Sequence, residues 1–154
     1  SFGKKTQVCG ILVGDRINEV ENNVFKKSSR INSTFGGNLV DMYRFKLILE
    51  IIEEESLLEN AKIMGNYLLD SINNLSIEFP GYVTNPRGVG LFCAFDMPST
   101  IERDKFTNLM LEKRVMLLGS GTTSIRFRPH LNVTKHDLDI CISTTQDVLK
   151  KMLN

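Results

Sequence analysis

Three times along this 154-residue chain a hydroxyl residue stands three positions ahead of a carboxylate, at the head of an apolar run. The pairs are Ser56/Glu59, Ser99/Glu102 and Thr134/Asp137, and each spells a capping box, in which two side chains satisfy free N–H groups at a helix start. These boxes predict three helices, with room only for short strands between them. After the first, Leu57, Ala61, Met64, Leu68, Ile72, Leu75 and Phe79 step by three or four and stop at Pro80-Gly81, one face of a helix. The second helix runs to about Lys113. The third runs to about Leu153, on an apolar line of Leu138, Cys141, Thr145, Val148 and Met152. Residues 89–96 read as a strand behind a Pro86-Arg87-Gly88 turn, and residues 115–118 and 124–127 as strands joined by Gly119-Ser120-Gly121. Ahead of the first box, residues 39–54 carry apolar side chains around most of a helix, which predicts burial on more than one side. Residues 41–154 are therefore expected to be an α+β unit, helices covering a small, largely antiparallel sheet.

Composition excludes several classes. With 42% hydrophobic and 24% charged residues the chain is globular, and 19 Lys+Arg against 18 Asp+Glu, formal net charge +1, give no electrostatic case for a nucleic-acid or membrane partner. No long uncharged apolar stretch occurs. Cys9, Cys93 and Cys141 lack metal-ligand spacing and are expected as reduced, partly buried thiols in a cytoplasmic protein. The first residue is Ser1 rather than Met, so sequence is expected to have been removed by processing or truncation.

Residues 8–13 have the length and apolarity of a strand, with Gly14-Asp15 as a turn behind it. Residues 16–38 show little periodicity and read as a long ordered loop, of the kind that is usually functional.

Three segments could carry chemistry. Lys4 and Lys5 precede the first apolar run; they are either solvated charges or include an amine desolvated enough to form a Schiff base. The loop Asn32-Ser33-Thr34-Phe35-Gly36-Gly37-Asn38 leads into a helix, where hydroxyls and free N–H groups suit a phosphate or carboxylate; alternatively Thr34 or Asn38 simply caps the helix. Ile125-Arg126-Phe127-Arg128-Pro129-His130 sets two arginines on one face of a strand end, suited to a carboxylate; the alternative is an edge strand with outward charges. His130 and His136 have no partner signature. Neither a metal site, a Ser/His/Asp nucleophile nor a paired-carboxylate site has support.

Taken in order, Phe2-Gly3-Lys4-Lys5-Thr6-Gln7-Val8-Cys9-Gly10, Arg30-Ile31-Asn32-Ser33-Thr34-Phe35-Gly36-Gly37-Asn38, Pro86-Arg87-Gly88-Val89-Gly90-Leu91-Phe92-Cys93-Ala94-Phe95 and Ile125-Arg126-Phe127-Arg128-Pro129 resemble the C-terminal portion of the class III, fold-type I pyridoxal-phosphate aminotransferases, and within them the branch acting on the ε-amino group of L-lysine. The resemblance implies an α/β transferase fold: a remnant of the large cofactor domain over residues 1–40 and a small C-terminal domain over 41–154. It implies pyridoxal 5′-phosphate as cofactor, held covalently by Lys4, with Lys5 as the fallback, with the Thr34 hydroxyl on the phosphate and with Ser33 also a cofactor-binding residue. Asn32, Ser33 and Thr34 belong to a loop that reaches the other subunit's cofactor in a homodimer. Arg126, with Asn32, matches the binding site for the carboxylate of 2-oxoglutarate or glutamate; Arg128 is less certainly a ligand, and His130 stands at a variable position. The implied reaction is L-lysine plus 2-oxoglutarate giving 2-aminoadipate 6-semialdehyde and glutamate, a reaction of lysine catabolism. Other donors (4-aminobutyrate, ornithine, a diamine) and a non-catalytic binding module are the competing readings. The remaining cofactor contacts of the family lie upstream of this sequence, so the chain by itself is expected to be inactive.

Overall fold

The computed structural model describes residues 11–31 and 38–153. The chain divides into two compact units, Ser1–Glu55 and Ser56–Asn154. The boundary expected at 40/41 would place the helix over 39–54 with the second unit; the compact division falls after it.

In the first unit, the described part of the expected strand, Ile11, Leu12 and Val13, takes no regular structure and is exposed. A strand needs a neighbour to take up its N–H and C=O groups, and none of the described strand pairings involves these residues. The loop behind it is organised by buried Asn23, whose Nδ2 donates to the carbonyls of Ile17 and Val20 while its Oδ1 accepts from the N–H groups of Phe25 and Lys26. A 3-10 helix, Asp15–Glu19, lies inside this loop and was not legible in the periodicity. Helix α1, Leu39–Glu54, forms where expected. Its expected burial is not met among the described residues: Asp41 is the buried one, while Val40, Tyr43, Leu47 and Ile51 are exposed.

The second unit contains α2 (Leu57–Glu78), β1 (Thr84–Val89), β2 (Phe92–Asp96), α3 (Thr100–Glu112), β3 (Leu118–Ser120), β4 (Ser124–Phe127) and α4 (Lys135–Leu153). The four strands form one antiparallel sheet in the order β1-β2-β4-β3. The α+β expectation therefore holds, with three local corrections. The Pro86-Arg87-Gly88 turn is instead the middle of β1, an edge strand whose register slips between Thr84 and Arg87; an edge with a bulge is where a sheet tolerates a residue that cannot donate. The strand expected over 89–96 begins only at Phe92, because Gly90 takes the positive φ of 54° that a tight hairpin needs. The strand expected over 115–118 lies at Leu118–Ser120, so Gly119 and Ser120 pair with β4 rather than forming the turn.

Of the three capping boxes one forms in full, and one shows only its hydroxyl half. The Ser99 hydroxyl accepts from the Glu102 N–H at 3.2 Å. Thr134 and Asp137 cap reciprocally, each side chain accepting from the other's N–H. Ser56 makes no side-chain cap. It sits one residue past the C-cap of α1 with φ of 51°, the left-handed position that closes a helix end, and a residue in that conformation cannot also take the extended form an N-cap needs.

The core of this unit lies on one face of the sheet. Phe95 and Ile125 from the strands meet Leu68 and Ile72 of α2, Phe106 and Met110 of α3, and Leu149 of α4, all fully buried. The Phe95 and Phe106 rings pack edge-on with centroids 6.0 Å apart. Cys93 is buried and Cys141 partly so; burial pushes both thiols up to about 11, which leaves them protonated at neutral pH. Helix α2 comes down directly on the β1–β2 hairpin: a Cβ at Gly65 would lie 2.3 Å from the carbonyl carbon of Gly90. Backbone meets backbone there, so Gly65→Ala is expected to destabilise this unit by about 1–3 kcal/mol. Chemical denaturation of the two proteins reads this directly, and equal midpoints would show that the helix can lift at no cost.

Candidate functional site

The opposite face of the sheet carries no helix of this unit's core, and it holds the one predicted site residue that the structure describes. Side chains alternate along a strand, so Ile125 and Phe127 of β4 point into the core while Ser124 and Arg126 point to the other face. Register then sets their neighbours. Arg126 lies opposite Ala94 of β2 on one side and Leu118 of β3 on the other, and Ala94 in turn lies opposite Arg87 of β1. The row Arg87, Ala94, Arg126, Leu118 therefore crosses all four strands. Exposed Val89, Phe92 and Leu118 add apolar side chains to this face.

β4 is an interior strand, which removes the edge-strand reading of Arg126. Its side chain is half-buried, and its Nε is buried without a hydrogen-bond partner among the described residues. A guanidinium donor shielded from water and left unmatched is costly, and a carboxylate meeting it in the plane of the fork would relieve that cost.

The next row holds Asp96 opposite Ser124. Both oxygens of Asp96 are engaged. Arg87 Nη2 reaches Oδ1 at 2.9 Å, the Ser124 hydroxyl donates to the same oxygen at 2.6 Å, and Asn85 Nδ2 donates to Oδ2 at 2.9 Å. Arg87 Nη2 also donates to Ser124 Oγ at 2.8 Å. Burial alone would raise the carboxyl's pKa, but these hydrogen bonds and the charge of Arg87 outweigh it and hold Asp96 below its ordinary value. This network was missed from sequence, although Arg87 stands within a recognised motif. The signal was the alternation that puts residues 94, 96, 124 and 126 on one face.

Arg128 lies outside the strand. It falls past the end of β4, is exposed, and lines a cavity of about 200 Å³ with Phe127, Pro129, His130, Leu138 and Cys141. The expected pair of arginines on one strand face is thus a single arginine, because the strand ends at Phe127 before Pro129. Lys4, Lys5, Asn32, Ser33 and Thr34 lie outside the described residues. Just after them, Asn38 Oδ1 accepts from the N–H groups of Val40 and Asp41 at 2.9 and 3.3 Å, so the capping alternative holds at Asn38. Among the described residues no group of acidic, His and Cys side chains could hold a metal ion, and no helix is long and apolar enough to cross a membrane.

Comparison with known proteins bears on this arrangement. The family described as "Aminotransferase class-III" matches residues 5–149. The chain is 46% identical over 149 residues to an L-lysine-epsilon aminotransferase of Mycobacterium tuberculosis, covering 97% of this chain and 33% of that protein. It is 51% identical over 140 residues to the enzyme of the same name from Amycolatopsis lactamdurans, covering 90% of this chain and 31% of that protein. A 4-aminobutyrate aminotransferase of Sus scrofa is 35% identical over 120 residues, covering 78% of this chain and 24% of that protein. The solved lysine aminotransferase of M. tuberculosis superposes with a TM-score of 0.91 at 45% identity, over 97% of this chain and 34% of that one. The chain spans about a third of the length of the curated lysine-acting relatives it matches. Four motifs in family order, a match across nearly all its residues and a shared fold place one conclusion beyond the single arginine: this chain belongs to the class III aminotransferases, a pyridoxal-phosphate-dependent family.

Proposed function

We propose that this chain forms part of a pyridoxal-phosphate-dependent aminotransferase that moves the terminal amino group of L-lysine to 2-oxoglutarate, giving 2-aminoadipate 6-semialdehyde and glutamate. The observation that carries the reading is Arg126, a half-buried arginine on the open face of the sheet whose buried Nε has no hydrogen-bond partner among the described residues. Substrate choice is supported by identity, 46–51% to lysine-acting relatives against 35% to a 4-aminobutyrate-acting one.

The donor set fits the cofactor. Lys4 offers a primary amine for an aldehyde carbon, and Ser33 and Thr34 offer hydroxyls for a phosphate. The first N–H groups of α1 at Val40 and Asp41 are already engaged by Asn38, which leaves the phosphate to those hydroxyls. When bound, pyridoxal phosphate supplies the electron sink for a carbanion next to nitrogen. The residues do the rest. Lys4 holds the cofactor and, once its amine is free, moves the proton at the substrate's reacting carbon. Arg126 binds the carboxylate of 2-oxoglutarate or glutamate, a role the resemblance also gives Asn32, and fixes the acceptor's orientation. In this reading residues 1–40 serve the cofactor and 41–154 serve the substrate, and residues 32–34 reach the cofactor of the partner subunit in a homodimer.

The test is a chimera in which this chain replaces the matching third of the M. tuberculosis enzyme. It is expected to form glutamate from L-lysine and 2-oxoglutarate and to do so poorly with 4-aminobutyrate, while the 154-residue chain alone gives no turnover. Preference for 4-aminobutyrate or ornithine would reassign the donor. A folded chimera inactive with every donor would favour a binding module.

A further inference from the structure

Edge strand β3 forms one flank of Arg126. It is three residues long, has β4 as its one neighbour in the sheet, and places Leu118 directly opposite Arg126. So short an edge strand has few ladder hydrogen bonds to hold it, and its central glycine brings no side chain to the packing. Arg103 of α3 supplies a hold from outside the sheet. Gly119 lies opposite Ile125 and so faces the core, and the Arg103 side chain fills the space that a Cβ there would take, with Nε 3.1 Å from that position. The same guanidinium reaches the end of the hairpin, where Nη1 donates to the carbonyls of Gly121 at 2.6 Å and Thr122 at 2.9 Å. The Thr100 hydroxyl also donates to the Thr122 carbonyl, at 2.9 Å, and the Met97 N–H donates to that of Thr123 at 3.0 Å. Three successive turn carbonyls are thus taken up by α3 and the link that leads into it. Asp104 in turn holds the guanidinium, its Oδ1 accepting from Nε at 2.9 Å and from Nη2 at 2.7 Å. At 15% exposure the Arg103 side chain is shielded enough for these charge-assisted bonds to matter.

We propose that Arg103 is a positioning residue for the carboxylate site: it clamps β3 and the turn over residues 121–123 from the core side, so that Leu118 stays beside Arg126 on the open side and limits where the guanidinium can point. The inference rests on the reading of Arg126 as the carboxylate anchor and assigns a residue of α3 a role within it. Arg103 and Arg126 lie on opposite faces of the sheet, so Arg103 acts through the strand and not on the acceptor. With the clamp gone, Arg126 loses a fixed neighbour on the β3 side while Ala94 of β2 remains on the other. A planar fork that must meet a carboxylate in its own plane is sensitive to that loss.

The experiment uses the chimera and compares kcat/KM for 2-oxoglutarate with kcat/KM for L-lysine, which report separately on the two halves of the cycle. Arg103→Met removes every donor of the guanidinium. It is expected to lower the 2-oxoglutarate value roughly tenfold and to leave the lysine value within about a factor of two. Arg103→Lys, whose ammonium can still reach one carbonyl, is expected to recover part of the loss. Thr100→Val removes a single donor from the Thr122 carbonyl at nearly constant shape and is expected to lower the 2-oxoglutarate value roughly threefold. It keeps the test valid where Arg103→Met fails to fold. Equal loss with both substrates would overturn the proposal by making Arg103 a support of the fold as a whole, and so would a 2-oxoglutarate value unchanged in the folded variants. Arg126→Lys, measured alongside, separates the two readings. If it too leaves the 2-oxoglutarate value unchanged, the anchor reading fails; a loss there, with none in the Arg103 and Thr100 variants, keeps the anchor and removes only the clamp.

Discussion

Lys4→Ala in the chimera is expected to lower lysine-dependent glutamate formation by roughly 10³-fold or more, and Lys5→Ala to leave it within a few-fold of the parent. The two residues are adjacent and identical in type, so composition, charge and local helix or strand preference cannot separate them. The separation comes from frame: Lys4 follows Phe2-Gly3 directly, and in the proposed reading the same frame matches Thr34 and Arg126 to the family's phosphate and carboxylate positions. An amine that both holds the cofactor and moves the proton at the reacting carbon has two roles, and deleting it removes both. Loss of the pyridoxal-phosphate absorbance band together with turnover in Lys4→Ala, with both kept in Lys5→Ala, is the expected pair of results. The reverse pattern would shift the frame by one residue and put Thr34 and Arg126 out of step with it.

Some of this fold was legible because local chemistry and packing agree. Ser124–Phe127 alternates charged or hydroxyl with apolar side chains in a period of two, and both its bounds and its inward residues follow from that pattern. The α2 face over Leu68, Ile72, Leu75 and Phe79 is likewise buried as its spacing predicts. Where the local signal pointed elsewhere, a neighbour decided. Ser56 carries the spelling of an N-cap, but the preceding helix needs a left-handed residue there. Pro86 reads as a turn, but β2 offers a pairing edge that tolerates it. The open face of the sheet was the least legible part. Asp96 and Ser124 lie 28 residues apart and meet only through strand register, and nothing local to Arg87 says that its partner is Asp96. Motif resemblance alone therefore pointed to Arg126 as a proposed carboxylate ligand, while the network of Arg87, Asp96 and Ser124 on the same face is visible only once the strands are in register.

Arg126→Lys in the chimera is expected to lower kcat/KM for 2-oxoglutarate by roughly 10–10²-fold, the worth of about one charge-assisted hydrogen bond lost from the planar fork. The substitution keeps the charge, so the effect isolates geometry. A lysine ammonium is a point charge on a flexible stem; the guanidinium is a planar fork whose Nε is already shielded and aimed by the strand, with Ala94 and Leu118 on either side of it. The loss should also be divided unevenly between the two halves of the cycle. If Arg126 binds the carboxylate of 2-oxoglutarate, single-turnover measurement should show the acceptor half-reaction slowed far more than the half-reaction in which lysine gives up its ε-amino group. Equal slowing of both halves would make Arg126 a general support of the sheet face rather than a ligand, and would remove the observation on which the proposed function chiefly rests.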